Sequence, residues 1–225
     1  APVIVTEDAD LQAAIPKLTK GGFYHAGQVC VSVQRVFVHE SIAETLANKL
    51  TSAAEQLHTG DPTVETTDVG PLIRPAEVDR IEDWVNEAVS LGAEAKTGGK
   101  RLSDTTFQPT VLYDPPDQCK VSQQEIFGPV ICVYPYSHID DAVKRANALP
   151  FAFQASVFTK NIDWAMKAFS QLNASAVMVN EHTAFRVDWM PFAGLGQSGL
   201  GIGGIPHTLK DMQIEKMLVI HADEI

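Results

Sequence analysis

No stretch of this 225-residue chain approaches the ~20 consecutive apolar residues of a membrane span. The opening Ala1-Pro2-Val3-Ile4-Val5-Thr6 has neither the basic flank nor the small-residue cleavage site of a secretory signal. A cytoplasmic protein without a membrane partner is the expectation. Basic charge is scarce: 17 Lys+Arg stand against 28 Asp+Glu, a formal net charge of −11, and no basic cluster is interleaved with aromatics. Nucleic acid is therefore excluded as an expected partner. Cysteine is sparse as well. Its three copies form no CxxC pair and no regular spacing, which argues against both a disulfide framework and a zinc site, so no metal is expected. Internal repeats and low-complexity segments are missing too.

What is present is an alternation of apolar runs and polar turns, with 45% hydrophobic residues, enough to bury a core in one or two domains. The alternation predicts an α/β fold with an open, largely parallel sheet and flanking helices. Strands are expected at Pro2 to Val5, Gln34 to His39, Val130 to Tyr134, Ala155 to Thr159 and Ala174 to Asn180. Asp8-Ala9-Asp10-Leu11 predicts a helix with an acidic first turn. Ser41 and Glu44 have capping-box spacing and predict a helix running to about Leu57. Val78, Ile81, Val85 and Val89 repeat at helical spacing within Pro75 to Leu91, and Gly92 follows as a left-handed cap. Helices are also expected at Asp140 to Leu149 and Ile162 to Leu172. Glu181 to Gly204 is longer than the ~12–15 residues of an ordinary connection and reads as functional. A short helix at His207 to Met212 and a strand at Lys216 to His221 complete the pattern.

Four features could carry chemistry. Cys30 ends the glycine-punctuated run Gly21-Gly22-Phe23-Tyr24-His25-Ala26-Gly27-Gln28-Val29-Cys30, where a loop can present a thiol while its amides face a reacting oxygen. The alternative is a packed thiol, because free cysteine is among the most buried residues and a reactive one needs its pKa brought below ~8.5. Cys119 and Cys132 read as core residues of that kind. Gly194-Leu195-Gly196-Gln197-Ser198-Gly199 matches the GxGxxG pattern literally, but it lacks the preceding apolar strand and the helix start that a dinucleotide turn requires. Ser122-Gln123-Gln124-Glu125-Ile126-Phe127 offers another capping box, or a carboxylate and an aromatic ring that could hold sugar hydroxyls and a flat ring. His25, five residues before Cys30, leaves a cysteine-histidine hydrolase open.

Taken together, Phe23 to Cys30, then Glu125-Ile126-Phe127-Gly128-Pro129, then Pro191-Phe192-Ala193-Gly194-Leu195-Gly196-Gln197-Ser198-Gly199-Leu200-Gly201 resemble the NAD(P)-dependent aldehyde dehydrogenase superfamily in order and spacing. The resemblance spans essentially the whole chain and includes Asp68 to Ile73. It implies oxidation of a small-molecule aldehyde to a carboxylic acid with NAD or NADP, through a thiohemiacetal and a thioester on Cys30. It also implies that Glu125 binds the nicotinamide ribose, that Phe127 lies beside the nicotinamide, and that Phe23 and Phe192 line a substrate tunnel. Residues 1–204 would be the cysteine-bearing catalytic domain, and residues 205–225 a tail whose strand joins subunits of a homo-oligomer. Two positions depart from the pattern. Ala193 replaces a usual glycine and Gly196 a usual lysine, which bears on the loop and on substrate preference. The glutamate that activates the hydrolytic water, the side-chain amide of the oxyanion hole and the cofactor-binding domain all lie upstream of Pro2 in the family, so the chain is expected to be a fragment unable to turn over alone. The rival readings are the cysteine hydrolase and a non-catalytic assembly module that uses the tail strand.

Overall fold

A computed structural model describes residues 1–223. In chain order it forms β1 (Pro2–Val5), α1 (Leu11–Phe23), β2 (Arg35–His39), α2 (Glu40–Glu55), α3 (Pro75–Ser90), β3 (Glu94–Thr97), β4 (Thr110–Tyr113) and α4 (Lys120–Gln123). The second half adds β5 (Val130–Tyr136), α5 (Ile139–Ala146), β6 (Phe151–Ala152), β7 (Gln154–Phe158), α6 (Ile162–Gln171), β8 (Ala176–Val179), β9 (Leu195–Gly196) and α7 (Ile205–Asp211). Seven strands make one sheet in the order β3-β4-β5-β2-β1-β7-β8, parallel throughout except where β3 runs antiparallel to β4. The expected α/β fold is thus present.

The apolar runs explain the sheet. Val3, Ile4, Val5, Val36, Phe37, Val38, Ile131, Cys132 and Val133 are each at most 2% exposed. Unbroken apolar strands of this kind need cover on both faces, which helices connecting parallel strands provide. Arg35 shows one such packing: it donates to the Arg145 and Ala146 carbonyls at 3.1 Å each, satisfying the C-terminal end of α5. That helix therefore stops at Ala146, short of the expected Leu149.

Register places the functional edge. Pro2 pairs with Arg35 and Arg35 with Cys132, so the chain enters β1, β2 and β5 along one edge of the sheet. Open α/β sheets ordinarily bind ligands at the carboxyl ends of their strands; here the loops of interest gather at the amino ends.

Several local expectations are corrected. Asp10 caps α1, accepting from the Gln12 and Ala13 amides, and Asp8 lies before the helix as acceptor for Thr6, Thr159 and the Lys160 amide, so the first turn is not acidic. The Ser41–Glu44 box does not form. The cap lies two residues earlier, at His39, Ser41 Oγ lies 2.8 Å from His39 Nδ1, and Glu44 pairs with Lys96 of β3. The edge strand β3 and the two-residue pair β6 and β9 lack an apolar run of their own, whereas β4, Thr110-Val111-Leu112-Tyr113, is a short buried one that was not expected. Lys216 to His221 forms no strand: Met217, Leu218, Val219 and Ile220 are 64–85% exposed. A strand needs a neighbour to pair with, and among the described residues none lies beside it. No described helix is long and apolar enough to cross a membrane.

Candidate active site

The loop carrying Cys30 begins where α1 ends. His25, Ala26 and Gly27 follow with φ of 49°, 55° and 69°, three successive left-handed residues that reverse the chain. Only the last must be glycine, since a β-carbon there would lie 2.0 Å from the Gly128 carbonyl oxygen. This close approach joins two loops that are distant in sequence. The second loop leaves α4 at Gln123 and reaches β5 at Val130. Within it Phe127 is also left-handed, with φ of 46°, and Gly128 sits against Ile81, where a β-carbon would meet Ile81 Cδ1 at 2.2 Å.

Cys30, Glu125 and Phe127 line one crevice, with Gly27, Gly128 and Gln34 in its wall. Its enclosed space is about 10 Å³, room for roughly one water. A reacting molecule must therefore lie over its mouth rather than inside. Cys30 is half-buried, Glu125 is exposed, and the Phe127 ring is 39% exposed. The Ser122–Glu125 capping box fails here too. Ser122 is buried, donates to the Pro116 carbonyl at 2.9 Å and meets the Tyr134 hydroxyl at 2.8 Å, which leaves the Glu125 carboxylate at the crevice rim.

Two glutamine amides fasten the neighbouring loops to the cysteine loop. Gln28 donates to the His25 and Pro71 carbonyls at 3.2 Å and accepts from the Ile73 amide at 2.9 Å, tying down the Asp68 to Ile73 segment. Gln34 holds the Glu125 loop in the same manner. Sequence reasoning missed both. A third segment arrives through Thr183 Oγ1, which donates at 2.6 Å to the carbonyl of Val31, the residue after Cys30.

The other candidates lie elsewhere. Phe23 is 2% exposed, packed in the core at the end of α1, and Phe192 sits with its ring 4.5 Å from Phe153 and the Arg186 guanidinium 4.1 Å above it. Neither lines the crevice. His25 is exposed and also outside it, as is every other histidine. The Gly194 to Gly199 run folds back on β6 through the Leu195–Ala152 and Gly196–Phe151 pairs. Cys119 and Cys132 are fully buried. Burial pushes the Cys119 thiol up, and pushes that of Cys132 up to about 12. Among the described residues no cluster of three or more His, Cys, Asp or Glu side chains is arranged for a metal.

The α/β domain thus carries a thiol at the amino-end edge of its sheet, in one crevice with a carboxylate and an aromatic ring beside a close glycine contact. The aldehyde dehydrogenase family matches residues 1–218, and the chain belongs to it. It is 40% identical over 218 residues to a 3-sulfolactaldehyde dehydrogenase of Priestia aryabhattai, covering 97% of this chain and 46% of that protein. A lactaldehyde dehydrogenase of Methanococcus maripaludis is 39% identical over 220 residues, covering 98% and 47%. Among solved structures, the glyceraldehyde-3-phosphate dehydrogenase of Methanocaldococcus jannaschii, complexed with NADP, superposes with a TM-score of 0.90 at 36% identity, covering 94% of this chain and 46% of that one. The chain spans about half the length of the curated relatives it matches.

Proposed function

We propose that the protein carrying this chain oxidises a small aldehyde to a carboxylic acid with NAD or NADP, and that Cys30 is its nucleophile. The observation that carries the reading is the convergence of Cys30, Glu125 and Phe127 on one crevice from loops 95 residues apart. The Cys30 thiolate attacks the aldehyde carbon, forming a C–S bond while the carbonyl electrons move onto oxygen. The Cys30 backbone amide contributes to the oxyanion hole that receives this charge. Capture on sulfur gives a tetrahedral carbon from which hydride can leave, and collapse of the oxyanion then leaves a thioester. Bound NAD(P) supplies the hydride acceptor. Water cleaves the thioester, releases the acid and returns the thiol.

The residues present suit the cofactor chemically. Glu125 offers exposed carboxylate oxygens to ribose hydroxyls, and Phe127 an exposed ring face to a planar heterocycle, side by side at the rim. The chain spans about half the length of its curated relatives, which supports the proposal that it does not turn over alone. The reading also places residues 1–204 in a catalytic domain of a cytoplasmic enzyme and gives residues 205–225 to contacts between subunits. Support for the latter comes from the exposed Ile214, Met217, Leu218 and Val219.

The test is turnover of lactaldehyde or another short aldehyde by the full-length protein, read as reduced nicotinamide, beside the same assay on this chain. The full-length protein should be active and the isolated chain silent, and Cys30→Ala should lower turnover by at least ~10³-fold. Ester hydrolysis indifferent to NAD(P) and lost with Cys30→Ala would instead establish the cysteine hydrolase.

A further inference from the structure

Glu125 and Phe127 share a feature that follows from the residue between them. Ile126 is 1% exposed and points into the core, so its two neighbours face outward. The segment around it has no secondary structure of its own, since α4 has ended and β5 has not begun. Both backbone groups of Ile126 are nonetheless taken. Its amide donates to Gln34 Oε1 at 3.0 Å, and its carbonyl accepts from the Arg80 guanidinium at 2.6 Å. Gln34 also uses its two N–H groups, donating to the Gln124 carbonyl at 2.7 Å and the Val121 carbonyl at 3.2 Å.

The two anchors stand on rigid supports. Gln34 is 9% exposed, and its own backbone is held on both sides: its amide donates to the Ala1 carbonyl at 3.3 Å, and its carbonyl accepts from the Cys132 amide at 2.8 Å. Its side chain therefore leaves from a fixed point of the sheet. Arg80 lies in α3, where Glu77 pairs with it at 2.8 Å and Trp84 lies under its guanidinium at 4.5 Å. Three hydrogen bonds from one buried amide fit a backbone path with no ladder to follow, because each of those backbone groups would otherwise be buried without a partner.

We infer that Gln34 and Arg80 are positioning residues, which fix Ile126 and so set how the Glu125 carboxylate and the Phe127 ring present themselves to the NAD(P) ribose and nicotinamide. The inference rests on the proposed function for its ligand, but its structural part stands on this chain alone. Their effect falls on cofactor binding, since both side chains hydrogen-bond to the Glu125 loop, and although Gln34 shares the crevice wall with Cys30, its side-chain bonds all go to that loop and to α4.

The experiment has two arms. In this chain, amide hydrogen exchange should speed up at Ile126 and its neighbours by about tenfold or more in Gln34→Met, which keeps side-chain length but removes all three bonds. In the full-length enzyme, Gln34→Met and Arg80→Met should each raise the KM for NAD(P) by about five- to tenfold while the KM for aldehyde and the alkylation rate of Cys30 stay within about twofold. Arg80→Lys, which keeps one donor, should recover part of the loss. Arg80 is half-buried on α3 rather than inside the sheet, so its variant reports even if Gln34→Met fails to fold. Unchanged exchange at Ile126, or aldehyde and cofactor KM rising together, would overturn the inference. A wild-type enzyme that ignores NAD(P) would defeat the proposed function instead, and with it the cofactor role, while faster exchange would still separate that result from a failure of the anchor.

Discussion

Cys30 and Cys132 lie close in the fold and far apart in chemistry. Cys132 is paired with Arg35 inside the sheet, and Cys30 is only five residues before Arg35, on the loop that feeds the same strand. One is fully buried; the other is half-buried and opens on a crevice. The difference comes from what surrounds them. In the sheet an unbroken apolar run leaves the thiol only packing to do, whereas at the strand entrance left-handed residues and a glycine contact hold the chain away from the core. Residue type alone did not separate a packed thiol from a presented one; backbone path does.

Alkylation rates sharpen that contrast most. With its thiol pushed up to about 12 by burial, Cys132 is thiolate to about one part in 10⁴ near pH ~8, and the reagent must also reach it through the sheet. In the folded protein a thiol-directed reagent should modify Cys30 at least ~100-fold faster than Cys119 or Cys132. Peptide mapping of partially labelled protein measures this directly. Equal labelling of all three would remove the case for a presented nucleophile.

How far this contrast was legible in the sequence depends on the range of the interaction. The central strands could be read because each is an apolar run, and Cys30, Glu125 and Phe127 because each lies in a contiguous motif of its own. The capping boxes at Ser41 and Ser122 were misread for a physical reason. Their spacing is local, but His39 took the first cap and Tyr134 with Pro116 took the second serine. Gln34 was invisible as an anchor because its partners are 87 to 92 residues away. The expected strand at Lys216 to His221 needs a neighbouring backbone that its own sequence does not contain.

A second way to break the comparison is to disturb the glycine contact that separates the two environments. Gly27→Ala puts a methyl group 2.0 Å from the Gly128 oxygen in a backbone held at φ of 69°. Strain and clash together should destabilise the fold by about 2–4 kcal/mol in urea unfolding. The labelling advantage of Cys30 should shrink as well, because the loops can no longer close on each other. Gly70→Ala provides the control. Its nearest neighbour would be Pro62 Cβ at 3.7 Å, its φ is ordinary, and it should stay within about 0.5 kcal/mol. A Gly27 variant as stable as the Gly70 variant would mean that the loops do not depend on their contact.

The smallest effect tests the comparison from the side of packing. Cys132→Ala removes a sulfur that is fully enclosed by the sheet, leaving a void of about one methyl group, and should lower stability by about 1–2 kcal/mol. Cys30→Ala removes the same atom from a crevice wall that already meets solvent, where water can replace the lost contacts, so its stability should change by less than about 0.5 kcal/mol. The order of stability losses is thus the reverse of the order of reactivity. Paired urea melts of the two variants decide the matter: an equal loss at both positions would show that Cys30 is packed like its neighbour, and that its place at the crevice has not freed it for chemistry.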